Sequence, residues 1–222
     1  MGRTVVVTGT DTGVGKTVVT CALARSLRAR GRDVVAIKPL ETGCDETPTA
    51  GEDGVLLAAA SGQARPRGAL HRFPEPVAPV VATGAEAGTP GLESMVEEIE
   101  ALTPSEGVTL VEGAGGLLSP LAWDWGIADL ARALDASVLL VAADRLGTMN
   151  HTLLTVECLE RRGLELLGVV LSAPERPDAS TGGNAAVLAR LLPGRRLATL
   201  PRIDPAERDR CRLDEVAGWL ES

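Results

Sequence analysis

The chain has 222 residues, of which 45% are hydrophobic, and its formal net charge is −8 with acidic and basic residues intermixed. This length supports a domain with its own core, and we expect a single domain over residues 1–222. The lack of a basic face argues against nucleic acid as a partner, and the lack of a long apolar stretch argues against a membrane. The four cysteines are far apart, which favours neither a disulfide framework nor a zinc site. Because no secretory-type segment is present, we expect a cytoplasmic protein.

A strand, a glycine-rich loop and the start of a helix follow one another near the N-terminus. Residues 5–7 form a β-branched apolar run that predicts a buried strand, and a helical pattern begins at Val18. Between them, TGTDTGVGKT is typical of a phosphate-binding loop, where backbone N–H groups and the helix dipole attract phosphate. Lys16 is placed for the outer phosphates and the Thr17 hydroxyl for Mg²⁺. The spacing is irregular, because Thr10 stands where the usual motif begins with glycine.

Lysine is rare in this chain. Of the 22 basic residues only Lys16 and Lys38 are lysines, and the others are arginines. A lysine ammonium is a compact point charge whose pKa can shift, unlike that of arginine. Residues 33–37 predict a second strand, so Lys38 follows its C-terminal end, where open α/β sheets bind ligands. We predict that Lys38 acts in the same site as Lys16, the alternative being a solvated strand end.

The middle of the chain predicts a mobile loop and three helices. Residues 44–54 are polar and rich in turn formers, which is consistent with a loop over a site. Asp53 opens an apolar helix over residues 55–60, either as a helix N-terminal charge or as a metal ligand, and the local sequence favours the first role. Residues 77–82 predict a proline-initiated helix, and residues 93–102 an amphipathic helix.

A third strand is predicted at residues 108–111, and Glu112 stands at its end. Phosphate-loop enzymes keep a second magnesium-side carboxylate at such a position. The glycines that follow, in Gly113-Ala114-Gly115-Gly116, permit close approach by phosphate. We therefore interpret Glu112 as an acid of the nucleotide site, the alternative being a carboxylate that stabilises a turn.

The C-terminal half alternates strands and helices. Helices are predicted at residues 127–134, 150–162, 183–192 and 205–220, and strands at residues 137–142, 166–171 and 196–200. Thr148 or Asn150 is the expected N-cap of the second of these helices, whose free N–H groups would form another anion site. This alternation without hairpin patterns predicts an α/β fold. We expect a doubly wound, mostly parallel sheet with helices on both faces, as in phosphate-loop NTPases.

The motifs together resemble those of the dethiobiotin synthetase family, which belongs to the phosphate-loop amidoligases. They run in order from residue 4 to about residue 171: TGTDTGVGKT, Lys38-Pro39 with Thr42-Gly43, Phe73-x-Glu75-Pro76-x-x-Pro79, VEGAGG at 111–116, Leu146-Gly147-x-x-Asn150-His151 and Gly163-Leu164. The first motif and VEGAGG are shared with related amidoligases, whereas the full series is specific to this family. The resemblance implies a homodimeric ligase of biotin biosynthesis that uses ATP and Mg²⁺ to join CO₂ to 7,8-diaminononanoate. The route it implies passes through a carbamate and a carbamic-phosphoric anhydride.

The same resemblance implies roles for particular residues. Catalytic roles fall to Lys16, Lys38 and Thr12. Magnesium would be bound by Thr17, Asp53 and Glu112, which replaces the capping role for Asp53. The nucleotide would be bound by Gly13, Val14, Gly15, Lys16, Thr17, Val18, Asp53, Glu112, Gly113, Ala114, Gly115, Ser172, Ala173, Pro201, Arg202 and Ile203. The substrate would contact Thr42 and Lys38 of one subunit and Gly147, Thr148, Met149 and Asn150 of the other.

Two positions bear on alternatives. Ser172 stands where the family commonly has an asparagine that reads the adenine edge, and the loss of that amide leaves ATP, CTP or another nucleoside triphosphate as co-substrate. Asp11 stands where partitioning-type switch ATPases carry a signature lysine, which disfavours that class. Another amidoligase or a small-molecule kinase is the further alternative, since the substrate is inferred from the resemblance alone.

Overall fold

The computed structural model describes residues 2–82 and 90–221; Met1, residues 83–89 and Ser222 lie outside this part. The strands are β1 (Arg3–Gly9), β2 (Val34–Ile37), β3 (Leu40–Thr42), β4 (His71–Phe73), β5 (Val108–Gly116), β6 (Ser137–Ala143), β7 (Leu166–Ser172) and β8 (Leu197–Leu200). The helices are α1 (Lys16–Ala29), α2 (Asp53–Ser61), α3 (Pro79–Ala82), α4 (Leu92–Glu100), α5 (Ile127–Ala133), α6 (Thr148–Arg161), α7 (Asn184–Leu191) and α8 (Asp214–Gly218). A 3₁₀ helix at Pro205–Arg210 precedes the last of them.

Six of the strands form one parallel sheet in the order β2-β5-β1-β6-β7-β8. Alternating residues of β1 enter two different cores: Val5 and Val7 pack with α1 and α8, whereas Val6 packs with α4 and α5. A third cluster joins β6 and β7 to α6 and α7. Because helices cover both faces, the central strands are mostly apolar, and the predicted doubly wound fold is confirmed.

The position of β1 in the sheet determines where a ligand can bind. The chain leaves β1 toward β2 and β5 on one side and later returns to β6 on the other, so the strand order reverses at β1. In open α/β sheets the crevice beyond the carboxyl ends of the strands at such a switch point is the usual ligand site. The loop after Gly9 opens into this crevice.

Three features of the fold differ from the sequence predictions. A second, two-stranded parallel sheet pairs β3 with β4, and its strands of three residues each are too short to produce a pattern. The single helix expected over residues 205–220 is wrong, because the 3₁₀ helix and α8 are separated by an extended segment. There the N–H of buried Leu213 donates to the Ser26 hydroxyl at 2.7 Å, which withdraws it from helical bonding. The third strand continues to Gly116, past its expected end.

At one edge of the main sheet, a side chain accepts a hydrogen bond from the backbone of the edge strand. Strand β2 lies at the edge, and its Ala36 N–H donates to Gln63 Oε1 at 2.6 Å. The Gln63 side chain is buried and also bonds Ser61 and the Pro66 carbonyl. Its amide satisfies a strand N–H that a neighbouring strand would otherwise bind. Among the described residues, no helix has the length and apolarity needed to cross a membrane.

Candidate active site

The phosphate loop turns from β1 into α1 through two glycines with left-handed backbones. Gly13 has φ 71° and Gly15, the N-cap of α1, has φ 97°. A Cβ on Gly15 would lie 2.5 Å from Ser172 Oγ, so glycine is needed both for conformation and for space. Gly9, although outside the usual spacing, is also required, since its Cβ would lie 2.7 Å from the Asp11 carbonyl oxygen. No side chain caps α1, which leaves its first N–H groups directed at the loop.

Lys16 lies folded back inside the loop. It is buried, and its Nζ donates to the Asp11 carbonyl at 3.1 Å. Burial, and then the nearby charge of Lys38, lower the pKa of Lys16 to about 8. The Asp11 carboxylate accepts the Thr12 N–H at 2.7 Å, so the position of the switch-ATPase lysine is occupied here by an acid that shapes its own loop.

Lys38 joins two carboxylates from different parts of the chain. Its Nζ lies 2.7 Å from Asp53 Oδ2 and 2.8 Å from Glu112 Oε1, and 3.4 Å from the Gly113 carbonyl oxygen. Thr12, predicted to assist Lys38, lies at the same cavity, but in this structure the ammonium bonds the two carboxylates instead. Strand β2 places Lys38 at its end, β5 carries Glu112, and α2 begins with Asp53.

The charges of this cluster determine its protonation. Burial by itself would lower the pKa of Lys38, but Glu112 and Asp53 outweigh it through their charges and hydrogen bonds, so the pKa is raised. For Asp53, burial is outweighed by the charge of Lys38 and by bonds from Lys38 and Thr17, so the carboxyl pKa is lowered. Lys38 is therefore a fixed cation rather than a proton acceptor.

The predicted metal ligands meet at one point. Thr17 Oγ1 lies 2.8 Å from Asp53 Oδ1 and 2.9 Å from Glu112 Oε1. Thr20, which the sequence did not single out, donates to Glu112 Oε2 at 2.7 Å and so orients this fully buried carboxylate. A hydroxyl with two carboxylates is a donor set of hard oxygens, which fits Mg²⁺. Asp53 is the first residue of α2 rather than its N-cap, and its side chain does not cap the helix.

A cavity of about 690 Å³ opens over these residues. Of the predicted site residues it is lined by Thr12, Gly13, Gly15, Lys16, Thr17, Val18, Lys38, Thr42, Asp53, Ala114 and Gly115. Glu112 and Gly113 lie behind it, in contact with Lys38. Sequence reasoning missed the far wall, which is formed by residues 76–79, Ser119 and Pro120. Residues 77–82 were predicted to form a helix, and Pro76 and Pro79 belong to a family motif, but neither pattern indicates a cavity wall.

A second cavity, of about 350 Å³, lies on the other side of the phosphate loop and shares Gly13, Gly15 and Val18 with the first. It contains the remaining predicted nucleotide residues, which are Val14, Ser172, Ala173, Pro201, Arg202 and Ile203. Glu175 and Arg208 also line it, and the Arg202 guanidinium donates to the Glu175 carbonyl at 2.7 Å. The two cavities therefore both border the phosphate loop.

Known proteins match nearly the whole chain. A family model described as an AAA domain matches residues 3–210. An ATP-dependent dethiobiotin synthetase from Anaeromyxobacter dehalogenans (strain 2CP-C) is 49% identical over 205 residues, which cover 90% of each chain. Another, from Mycobacterium avium (strain 104), is 45% identical over 88% of this chain and 85% of the relative. The chain belongs to the ATP-dependent dethiobiotin synthetase family.

Membership of the dethiobiotin synthetase family confirms the resemblance and makes the chain a ligase. Structural neighbours include the cell division ATPase MinD of Pyrococcus furiosus, at 24% identity and a TM-score of 0.57 over 100% of this chain and 99% of that one. A ParA family ATPase from Chlorobium tepidum TLS has the same TM-score of 0.57 at 12% identity, covering 99% and 91% of the two chains. At these identities the likeness shows the fold alone, and the phosphate-loop NTPase fold is thereby confirmed.

The predicted substrate residues 147–150 do not lie with the other predicted site residues. The start of α6 is formed by Gly147, with φ 90°, as N-cap, so the capping predicted for Thr148 or Asn150 is wrong. A left-handed N-cap suits glycine best, which leaves the polar residues inside the helix. Residues 147–150 line neither of the two cavities, although Thr148 Oγ1 is buried there and has no hydrogen-bond partner among the described residues.

Glu41 was missed as a residue of the site. The sequence places it in a loop after Lys38, whereas the structure buries it in β3, at the wall of the larger cavity. Its carboxylate accepts hydrogen bonds from the N–H groups of Asp53 and Gly54. No short-range pattern reveals this contact, because 12 residues separate Glu41 from Asp53.

Proposed function

We propose that the chain forms dethiobiotin from 7,8-diaminononanoate, CO₂ and ATP, and releases ADP and phosphate. One substrate amine takes up CO₂ and loses a proton, giving a carbamate. The carbamate oxygen attacks the γ-phosphorus and ADP leaves; the second amine then attacks the carbonyl carbon and phosphate leaves. The observation that carries this proposal is the meeting of Lys38, Asp53 and Glu112 at the cavity that the phosphate loop borders.

The nucleotide would lie across both cavities. Its phosphates would be held by the backbone of Gly13 to Val18, where the uncapped start of α1 offers N–H groups, with Ala114 and Gly115 on the opposite side. The Lys16 ammonium would bind the outer phosphates, whose negative charge would raise its lowered pKa again. The base end would occupy the smaller cavity.

Lys38 would stabilise the negative charge shared by the carbamate and the γ-phosphate. Phosphoryl transfer needs positioning and electrostatic stabilisation more than covalent catalysis by the protein. The raised pKa of Lys38 keeps its charge at the pH where the enzyme works, so the residue would act as a cation throughout. Thr12, which lines the same cavity, would donate a hydrogen bond from its hydroxyl to the reacting groups.

Thr17, Asp53 and Glu112 would hold the magnesium ion. When bound, the ion supplies positive charge for the β- and γ-phosphate oxygens. The Asp53 and Glu112 side chains are oriented by hydrogen bonds from Thr17, Thr20 and Lys38. Such preparation of the donors supports a metal role over a purely structural ion pair.

The substrate would be shared between two subunits of a homodimer in the cytoplasm, each subunit a single domain. Thr42, in the wall of the Lys38 cavity, would contact the diamine end. The carboxylate end would bind at the start of α6 in the partner, formed by Gly147, Thr148, Met149 and Asn150, which has no side-chain cap. The Thr148 N–H already donates to the Arg145 carbonyl, so the N–H groups of the other three residues would bind the carboxylate. That these four residues line neither of the two cavities described above supports a contribution to another chain.

Base selectivity would be lower than in relatives that carry an amide at position 172. Ser172 is buried with its hydroxyl against Gly15, so it offers little to a base edge, and CTP would compete with ATP as co-substrate. Turnover with diaminononanoate, bicarbonate, Mg²⁺ and each triphosphate tests the whole proposal. Ring product of the mass of dethiobiotin, formed in a one-to-one ratio with nucleoside diphosphate, is expected. Diphosphate release without ring product would contradict it, and strict use of ATP would contradict the statement on bases.

A further inference from the structure

The start of α2 is capped by a residue from a different element. Glu41 Oε1 accepts the Asp53 N–H at 2.6 Å and Glu41 Oε2 accepts the Gly54 N–H at 3.0 Å. The first N–H groups of a helix have no partners within the helix, and both of these are satisfied by one buried carboxylate. The negative charge also suits the positive end of the helix dipole.

The residue in the usual capping position does something else. Glu52 is the N-cap of α2, but its side chain does not cap the helix. Its carboxylate pairs instead with Arg72, at 2.7 Å and 2.8 Å, and accepts the Thr49 N–H. Glu52 therefore holds the preceding loop, and Glu41 accepts the N–H groups of the first two residues of the helix.

That first turn carries a side chain of the site. Asp53 donates its N–H to Glu41 and directs its two carboxylate oxygens to Thr17 and Lys38. The backbone beside it has little freedom, since a Cβ on Gly54 would lie 2.1 Å from the Ala69 nitrogen. Because Asp53 is the first residue of α2, a shift of the helix start would move its carboxylate away from Thr17 and Lys38.

We infer that Glu41 is a positioning residue for the magnesium site, which fixes the Asp53 carboxylate by capping α2 from β3. The inference rests on the proposed role of Asp53 as a magnesium ligand. Outer residues that orient metal ligands typically contribute about 10- to 100-fold to metal affinity. Glu41 is such a residue, although it acts through a backbone N–H rather than through the ligand's side chain.

The test measures how strongly Mg²⁺ promotes nucleotide binding. Calorimetry with a non-hydrolysable ATP analogue gives its Kd with Mg²⁺ and with EDTA, and the ratio of the two is the magnesium effect. Glu41→Ala should reduce this ratio about tenfold and leave the Kd in EDTA within about twofold. Glu41→Gln, which keeps one carbonyl acceptor, should recover part of the loss.

Two further variants separate positioning from general loosening. Glu52→Ala removes a neighbouring buried carboxylate that holds the loop, and its magnesium effect should equal that of the unmodified protein. Asp53→Ala should lose the effect, and adding Glu41→Ala to it should cause no further loss, because both act through one carboxylate. Melting temperatures establish that each variant is folded.

The outcomes distinguish the inference from the proposal beneath it. An unchanged ratio in Glu41→Ala, together with a lost ratio in Asp53→Ala, would overturn the role of Glu41 alone. Equal losses in Glu41→Ala and Glu52→Ala, or additive losses in the double variant, would do the same. An unchanged ratio in Asp53→Ala would overturn both the metal role of Asp53 and the positioning role of Glu41.

Discussion

Two helices of this molecule begin with the same backbone geometry but lie in different surroundings. Both α1 and α6 begin after a glycine with a left-handed backbone, Gly15 at φ 97° and Gly147 at φ 90°, and neither has a side-chain cap. The start of α1 is enclosed by Lys16, Lys38 and two carboxylates of its own chain. The start of α6 lies apart from them, beside Leu146, whose exposure is 82%. The start of α1 thus belongs to a cavity of its own chain, whereas the start of α6 is the part that the proposed dimer would use.

The largest expected effect is at Lys38. Replacing it with glutamine removes the fixed cation, and turnover should fall on the order of 10³-fold, the upper range for loss of one electrostatic contact. Nucleotide affinity should stay nearly unchanged, because the loop backbone and Lys16 remain. Dethiobiotin formation and nucleotide calorimetry measure the two quantities. Ordinary product formation in Lys38→Gln would show that the cavity does not depend on this ammonium.

The substitution Gly15→Ala tests the glycine N-cap at the start of α1. The new Cβ would meet Ser172 Oγ at 2.5 Å with the backbone at φ 97°, so the loop must move. We expect nucleotide affinity to fall about 100-fold, which is about 3 kcal/mol of binding free energy. The loss would combine backbone strain with the loss of N–H contacts to the nucleotide. The control is Gly13→Ala, where no atom lies within 4 Å of the added Cβ although φ is also positive. Equal losses in the two variants would rule out the contact with Ser172 as the cause.

The substitution Asn150→Leu tests the proposed substrate contact at the start of α6. A bulky apolar side chain beside the free N–H groups should weaken diaminononanoate binding about tenfold, about 1.4 kcal/mol, with no change in nucleotide affinity. Calorimetry with each ligand separately measures both. Equal weakening of the two ligands would mean that residues 147–150 do not serve the substrate alone.

The smallest effect is spectroscopic and needs no mutation. The chain has only two lysines, so ¹³Cε-labelled lysine gives two resonances. That of Lys16 should titrate with a midpoint near pH 8, since burial and Lys38 lower its pKa to about 8. That of Lys38 should titrate only at a higher pH than a free lysine, since Glu112 and Asp53 raise its pKa. Adding nucleotide should move the Lys16 midpoint upward, and two midpoints near pH 10.5 would contradict the arrangement of charges.

The sequence predicted one helix start better than the other for a physical reason. Lys38 follows the end of β2 and Glu112 lies in the neighbouring parallel strand β5. Residue types and strand ends therefore indicated that both lie near the phosphate loop. The role of Asp53 was obtained from the family resemblance, because a carboxylate at a helix start is usually a local stabiliser. Glu41 was missed because its partner is 12 residues away, across a loop without a pattern.

Two other wrong predictions, the break before α8 and the N-cap of α6, also concern where an element begins or ends. The break before α8 depends on a bond between Leu213 and Ser26, which lie 187 residues apart. The N-cap of α6 was assigned to Thr148 or Asn150 from residue preference, whereas the turn required the positive φ that Gly147 provides. Local patterns predict the elements, and contacts between distant residues decide where those elements end.

The most direct test of the difference between the two helix starts uses a mixed dimer. Lys38→Gln and Asn150→Leu chains, co-expressed with different tags and purified through both, combine two variants that are each impaired. If the α6 start of one subunit serves the cavity of the other, each mixed dimer keeps one intact site, and about half of the unmodified activity is expected at low diaminononanoate concentration. If each chain holds its whole site, activity would be about one twentieth, the mean of the two variants, and the shared site would be contradicted.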